Sequence, residues 1–179
     1  MEFKETKIEG LIEITPKVYK DERGYFFENF QSEEFKKNGI SENFVQGNQS
    51  FSIKGVLRGL HFQTDPFGQG KLVRVISGSV LDVAVDLRPN SLTFGQYEIF
   101  TLTGENKKMV YIPSGFAHGF YTIEDAIFSY KCTQLYNKAS ENGILWNDPT
   151  LNINWRIANP IVSLKDLELP TFAEIFSLK

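Results

Sequence analysis

The chain contains only two histidines, His61 in "GVLRGLHFQ" (Gly55–Gln63) and His118 in "IPSGFAHGFYTI" (Ile112–Ile123). Both stretches are apolar and glycine-rich, so these are either incidental core residues or two halves of one polar site in an apolar interior. A lone histidine on a strand is more often structural than catalytic, and company decides the matter. In a regular strand Arg58 and His61 would fall on opposite faces, so both reach one pocket only through a bulge or bend, for which Gly59 is the natural place. The segment Lys71–Asp86 reads as a hairpin turning at Ser77, Gly78 and Ser79. Alternation then puts Lys71, Val73 and Val75 on the same face as Val80, Asp82 and Ala84. A lysine and an aspartate that look into one apolar space need each other or a polar ligand. The competing reading, an edge strand with its charges in water, fits Asp82 less well because it lies within "VLDVAVDL". In "IFSYKCTQLY" Phe128, Tyr130 and Cys132 share a face and Tyr136 lies beyond the strand end. A tyrosine facing a pocket can donate a proton, since its phenol is neutral at pH 7.

The elements that must position these groups are strands. Period-two alternation runs from Phe44 to Thr133 in "KLVRVIS", "SVLDVAVDL", "QYEIFTLT", "KMVYIP", "HGFYTI" and "IFSYKCT". Breakers recur at Gly68 and Gly70, Gly78, Pro89 and Asn90, Gly104, Ser114 and Gly115, and Glu124 and Asp125, a spacing typical of a β-sandwich or barrel. Helix signals are few. "SEEFKKNG" predicts a short helix with Ser32 as N-cap and Gly39 just past its end, and "LPTFAEIFSLK" predicts another at the tail.

Composition narrows the function. The 179 residues, 41% of them hydrophobic, suffice for one domain spanning residues 1–179. A net charge of -3 argues against a nucleic-acid partner held by bulk electrostatics. Cys132 is the only cysteine, which excludes an internal disulfide, and with two histidines a zinc site would have to lean on carboxylates. No apolar run approaches the roughly 20 residues of a membrane span, and "MEFKETKIEG" is too polar for a secretory signal, so a cytoplasmic protein is expected.

Across nearly the whole chain and in order, "DERGYFFENF", "GVLRGLHFQ", "GKLVRVISGSVLDVAVDLRPNSLTFG", "YIPSGFAHGFYT", "SYKCTQLYN", "GILWNDPTLNINW" and "VSLKD" resemble the dTDP-4-dehydrorhamnose 3,5-epimerase family. The resemblance implies an all-β, cupin-type jelly roll with a few short helices, a homodimer, no cofactor and no metal. Metal-binding cupins place two histidines one residue apart with a glutamate close behind, whereas here Phe62 and Gln63 follow His61. The implied substrate is dTDP-4-keto-6-deoxyglucose, whose carbons 3 and 5 flank a ketone. Removing a proton from either gives an enolate, which calls for a base on one face, a charge-stabilising group at the carbonyl oxygen and an acid on the other face.

By the same resemblance His61 is the base, with an ordinary pKa of about 6.5 that suits proton abstraction at neutral pH, and Asp166 is the carboxylate that orients it. Lys71 is the cation beside the carbonyl oxygen, and Tyr130 is the acid. Arg23, Glu28, Gln46 and Asn48 fall on positions that contact the dTDP moiety, as do Arg58, His118, Glu141 and Lys165. Tyr136 falls on the one that stacks against thymine. The stretch with Arg23 and Glu28 is implied to serve the partner subunit's site. One departure stands out: where family members commonly read "QDNH" followed by an arginine, this chain has Gly47, Gln49 and Phe51 in "QGNQSF". That leaves the exact sugar and nucleotide open. Three rivals stay open beside the 3,5-epimerase: a mono-epimerase acting at one carbon, a 3,4-ketoisomerase, and a non-catalytic jelly roll that binds sugar nucleotides.

Overall fold

The structure is a computed structural model that describes residues 1–157 and 159–176. Its elements in chain order are β1 (Glu2–Glu5), β2 (Ile12–Thr15), β3 (Tyr19–Asp21), β4 (Gly24–Phe26), α1 (Ser32–Lys37), β5 (Gln46–Ser52), β6 (Val56–Gln63) and β7 (Lys71–Asp86). There follow β8 (Tyr97–Thr103), β9 (Met109–Ile112), β10 (Phe116–Cys132), β11 (Glu141–Gly143), β12 (Ile161–Val162), α2 (Leu164–Leu167) and α3 (Phe172–Phe176). No helix among the described residues is long and apolar enough to cross a membrane.

Two long strands organise the molecule. β7 and β10 pair antiparallel along their length and pass together from one layer into the other. In the first layer the start of β7 and the end of β10 lie between β9, which continues to β2 and β1, and β5. In the second layer the end of β7 and the start of β10 lie between β8 and β6, with β11 beyond. This is a jelly roll, and its layers close on Val73, Val75, Val110, Ile112 and Phe128 from one side and Val80, Ala84, Phe100, Leu102 and Phe120 from the other. Phe120 and Phe128 stack across the gap with centroids 4.3 Å apart. Each such ring removed from water contributes roughly 1.5–3 kcal/mol. The outer face of the first layer is covered by Phe35 and Ile40 of the α1 region. The outer face of the second packs Leu57, Val83, Val85 and Ala117 under Ile144, Leu151, Trp155 and Phe172. That second cover makes the C-terminal segment run back alongside β6.

Three local expectations are corrected. No hairpin forms at Ser77–Ser79: β7 is one strand of 16 residues, and Gly78, at φ +78°, sits inside it where the pairing with β10 loses register. A positive-φ glycine in a strand makes a bend as readily as a turn, and here neighbours hold both halves of the strand. The shared face survives, because the irregularity shifts the alternation by one and returns Val80 and Ala84 to the interior with Val73 and Val75. Likewise Glu124 and Asp125 do not end a strand, since β10 continues through them for 17 residues with a shift in register. The N-cap of α1 is Gln31, whose side chain accepts from the Glu34 amide at 2.5 Å, and Ser32 is the first helical residue. The tail helix is present as α3, and Ser177 to Lys179 lie outside the described residues.

The bulge expected at Gly59 is there. Arg58 pairs with Phe120 and His61 with His118, so β6 advances three residues while β10 advances two. Gly59 has φ +124°, and a Cβ there would meet the Gly119 Cα at 2.6 Å and the His118 carbonyl oxygen at 2.9 Å. Gly59→Ala is therefore expected to cost about 2 kcal/mol or more, measured by denaturant unfolding. Unchanged stability would show that this backbone yields easily.

Candidate active site

The bulge turns Arg58 and His61 into the same cavity of about 660 Å³, which Lys71, His118, Tyr130 and Asp166 also line. A smaller cavity of about 360 Å³ adjoins it, sharing Asn48, His61, Lys71 and Tyr130 and adding Gln46, Gln63, Tyr136 and Glu141. Together they form one polar groove across the jelly roll, joined at the four shared residues.

His61 Nε2 lies 2.8 Å from Asp166 Oδ1, across 105 residues of sequence. Asp166 gets there in two steps. β12 pairs in parallel with β6, Ile161 opposite Val56 and Val162 opposite Leu57. Ser163 then caps α2, its hydroxyl accepting from the Asp166 amide at 3.1 Å. The Gly59 amide donates to the other carboxylate oxygen at 3.3 Å. Burial pushes the Asp166 pKa up, but the His61 contact and the Gly59 amide outweigh it and hold the carboxyl below its ordinary value. An anionic Asp166 accepts from Nε2–H and leaves Nδ1 as the nitrogen able to take a proton.

Lys71 opens β7 in the first layer. Burial pushes its ammonium pKa down, opposed by the charges of Cys132, Asp82 and Glu141. Tyr130 stands on the first-layer half of β10, across the groove from β6. Burial raises its phenol pKa, with Cys132 adding and Arg58 opposing, so it holds its proton at neutral pH. His118 Nε2 is 2.7 Å from Asp82 Oδ2, and its ring lies near that of Phe128.

The remaining expected binding residues line the groove toward its mouth. Gln46 donates to Asn48 Oδ1 at 3.0 Å and accepts from the Tyr136 amide at 2.9 Å, tying β5 to the loop after β10. Glu141 Oε2 accepts from the Tyr136 hydroxyl at 3.0 Å and from Lys165 Nζ at 2.7 Å, and the Lys165 contact is the main cause of its lowered pKa. Arg58 donates from Nε to Ser52 Oγ at 3.0 Å at the larger cavity's edge. Arg23 and Glu28 are not brought in: Arg23 is exposed and bound to Asp21 within its own hairpin, and Glu28 is exposed beyond β4. Neither lines either of these two cavities.

One contributor was missed in the sequence. Gln63 is buried, donates to the carbonyls of Phe67 and Leu135 and accepts from the Asn137 amide, which fixes the loop carrying Tyr136. It sits two positions after His61 on a strand, and that shared parity was the available signal. Among the described residues no group of three or more histidine, cysteine or acidic side chains is placed to hold a metal ion.

The family model described as dTDP-4-dehydrorhamnose 3,5-epimerase matches residues 5–174. The chain belongs to the dTDP-4-dehydrorhamnose 3,5-epimerase family. The family enzyme of Methanothermobacter thermautotrophicus is 50% identical over 168 residues, which cover 92% of this chain and 90% of the relative. The solved family structure from Elizabethkingia anophelis superposes with a TM-score of 0.94 at 46% identity, covering 97% of each chain. The Legionella pneumophila enzyme of the family, solved in complex with dTDP-4-keto-L-rhamnose, gives 0.92 at 48% identity and covers 95% of this chain and 92% of that one. Membership makes the chain an isomerase of the epimerase type on a cupin-type jelly roll.

Proposed function

We propose that this chain epimerises carbons 3 and 5 of dTDP-4-keto-6-deoxyglucose without a cofactor, with His61 as base, Lys71 at the carbonyl oxygen and Tyr130 as acid. The observation that supports this most is the placement of the Asp166-held imidazole of β6 and the protonated phenol of β10 on opposite layers of one groove, with Lys71 beside both. His61 Nδ1 takes the proton from the carbon next to the ketone, and the C–H electron pair moves into the enolate, whose negative oxygen meets the Lys71 ammonium. Tyr130 then gives its proton to the same carbon from the opposite side, inverting it, after which the His61 imidazolium releases its proton to solvent and the tyrosinate takes one up. Repeating the cycle at the second carbon completes the reaction. Tyr136, Glu141 and Lys165 hold the nucleotide end and Arg58 the diphosphate, where the guanidinium fork suits phosphate oxygens, while His118, with Nε2 on Asp82, offers Nδ1 as an acceptor to a substrate hydroxyl.

A homodimer belongs to this proposal. The β3–β4 hairpin exposes Tyr19, Tyr25 and Phe26 at 55, 56 and 67%, a surface that favours cover by a second copy. It carries Arg23 away from this chain's own groove and toward a partner's. The reaction belongs in the cytoplasm, because a charged nucleotide sugar does not cross lipid unaided.

The test is incubation with dTDP-4-keto-6-deoxyglucose in deuterated water, followed by NMR. Deuterium at both carbons is the expected result. Label at carbon 3 or carbon 5 alone makes the chain a mono-epimerase, and no label at either ends the proposal for this substrate.

A further inference from the structure

Asp82 is fully buried on the second-layer half of β7. One of its carboxylate oxygens lies on His118 Nε2, and the other has no hydrogen-bond partner. We propose that Asp82 is a positioning residue for the epimerisation: it fixes the tautomer of His118 and serves as the interior counter-charge of the Lys71 ammonium. This rests on the epimerase reading above.

Three observations carry it. The first is the symmetry of the two imidazoles. His61 and His118 face each other in register on β6 and β10, each with a carboxylate on Nε2, at 2.8 and 2.7 Å. The side chain of His61 is 33% exposed, as a group that trades protons needs, whereas that of His118 is 8% exposed and its acid not at all. An imidazole that gives Nε2–H to an interior carboxylate has only Nδ1 left for substrate, in one fixed orientation.

The second observation is the bend of β7, which turns the faces of Lys71 and Asp82 onto one interior. Lys71 shares its cavities with Arg58 and His61 of β6, His118 and Tyr130 of β10, Glu141 of β11 and Lys165 and Asp166 of α2, and the charges acting on its ammonium are those of Cys132 of β10, Asp82 of β7 and Glu141. Of these, Asp82 is the fully buried carboxylate. Burial works against the ammonium, while Cys132, Asp82 and Glu141 work for it. The third observation is the orphaned oxygen itself. A buried carboxylate oxygen without a donor is rare, and positive charge held nearby stabilises it without direct contact. His118 satisfies half of Asp82, and the other half answers Lys71.

Asp82→Asn keeps the shape and removes the charge. With less negative potential at Lys71, its proton is lost at lower pH, and the enolate loses its cation there. The kcat of deuterium exchange is expected to fall about 10- to 100-fold at pH 8 with KM changed less than about threefold, and the alkaline limb of kcat to move down by roughly one pH unit. Below that limb the deficit should shrink. A uniform loss with the limb in place means a structural role, and unchanged kinetics means no role; either overturns the proposal.

A second measurement uses the unaltered protein and does not depend on the variant folding. With two histidines, ring ¹⁵N shifts are readily assigned, and His118 is expected to carry its proton on Nε2. A neutral Nδ1–H form with bare Nε2 would remove the contact and the proposal with it. If the unaltered protein exchanges no deuterium while His118 shows the expected tautomer, the epimerase reading has failed rather than the Asp82–His118 pairing.

Discussion

His61→Asn is expected to lower deuterium exchange at both carbons by about 10²- to 10⁴-fold, the range for loss of a general base, while dTDP affinity stays within about threefold. Asparagine is too short to reach Asp166 Oδ1 from where Nε2 stood, but the Gly59 amide still donates to the other carboxylate oxygen, so the acid is not left unanswered. What disappears is the partly exposed imidazole that the buried Asp166 orients. The nucleotide contacts proposed for Tyr136, Glu141 and Lys165 do not involve His61, so calorimetric titration with dTDP separates the two roles. If affinity falls as far as rate, His61 holds substrate and the base lies elsewhere.

Tyr130→Phe is expected to split the reaction in a different way. Proton abstraction needs His61 and Lys71, both intact, so solvent deuterium should still enter carbons 3 and 5. Return of the proton from the far side is lost, and the enolate is quenched by the imidazolium that formed it. Label thus appears with retention, and inverted product drops by about 10²- to 10⁴-fold. The measurement is the ratio of washed-in deuterium to inverted sugar in one NMR time course. Loss of both in parallel would mean that Tyr130 helps form the enolate, and exchange and inversion both kept at the unaltered rate would assign the acid to another group. The substitution removes one half-buried hydroxyl and keeps the ring that packs against the core, so the fold should tolerate it.

Parts of this site are legible in the sequence and parts are not, for physical reasons. Strand alternation reaches as far as a single strand face. It places Tyr130 with Phe128, and it places Lys71 with Asp82, although through a hairpin that the chain does not make. Gly78 was ambiguous because a positive-φ glycine serves equally in a turn or in a bend within a strand, and the pairing of β7 with β10 on both sides of it decides which. The Arg58–His61 conflict announced its own bulge, since no regular strand turns both inward. The link from His61 to Asp166 is invisible to any local pattern. It depends on the parallel pairing of β12 with β6 and on a single-turn helix cap, and the family resemblance supplied it. Gln63 was overlooked because its partners are backbone groups in a loop, which leave no mark in residue types.

The bends in β7 and β10 also give these strands something like a reading frame. Val73 and Val75 before the irregularity, and Val80 and Ala84 after it, face the interior only because the step from Val75 to Val80 is an odd number of positions where a plain strand would need an even one. Adding or removing one residue near Gly78 would send Asp82 and its neighbours to the outer face, under the C-terminal cover, while Lys71 stayed in the groove. A change of two residues would preserve the facing. Length variation in descendants of this chain should therefore avoid single steps in the Ile76–Ser79 and Ile123–Asp125 segments and accumulate in connections such as Thr64–Gly70, where no such parity is at stake.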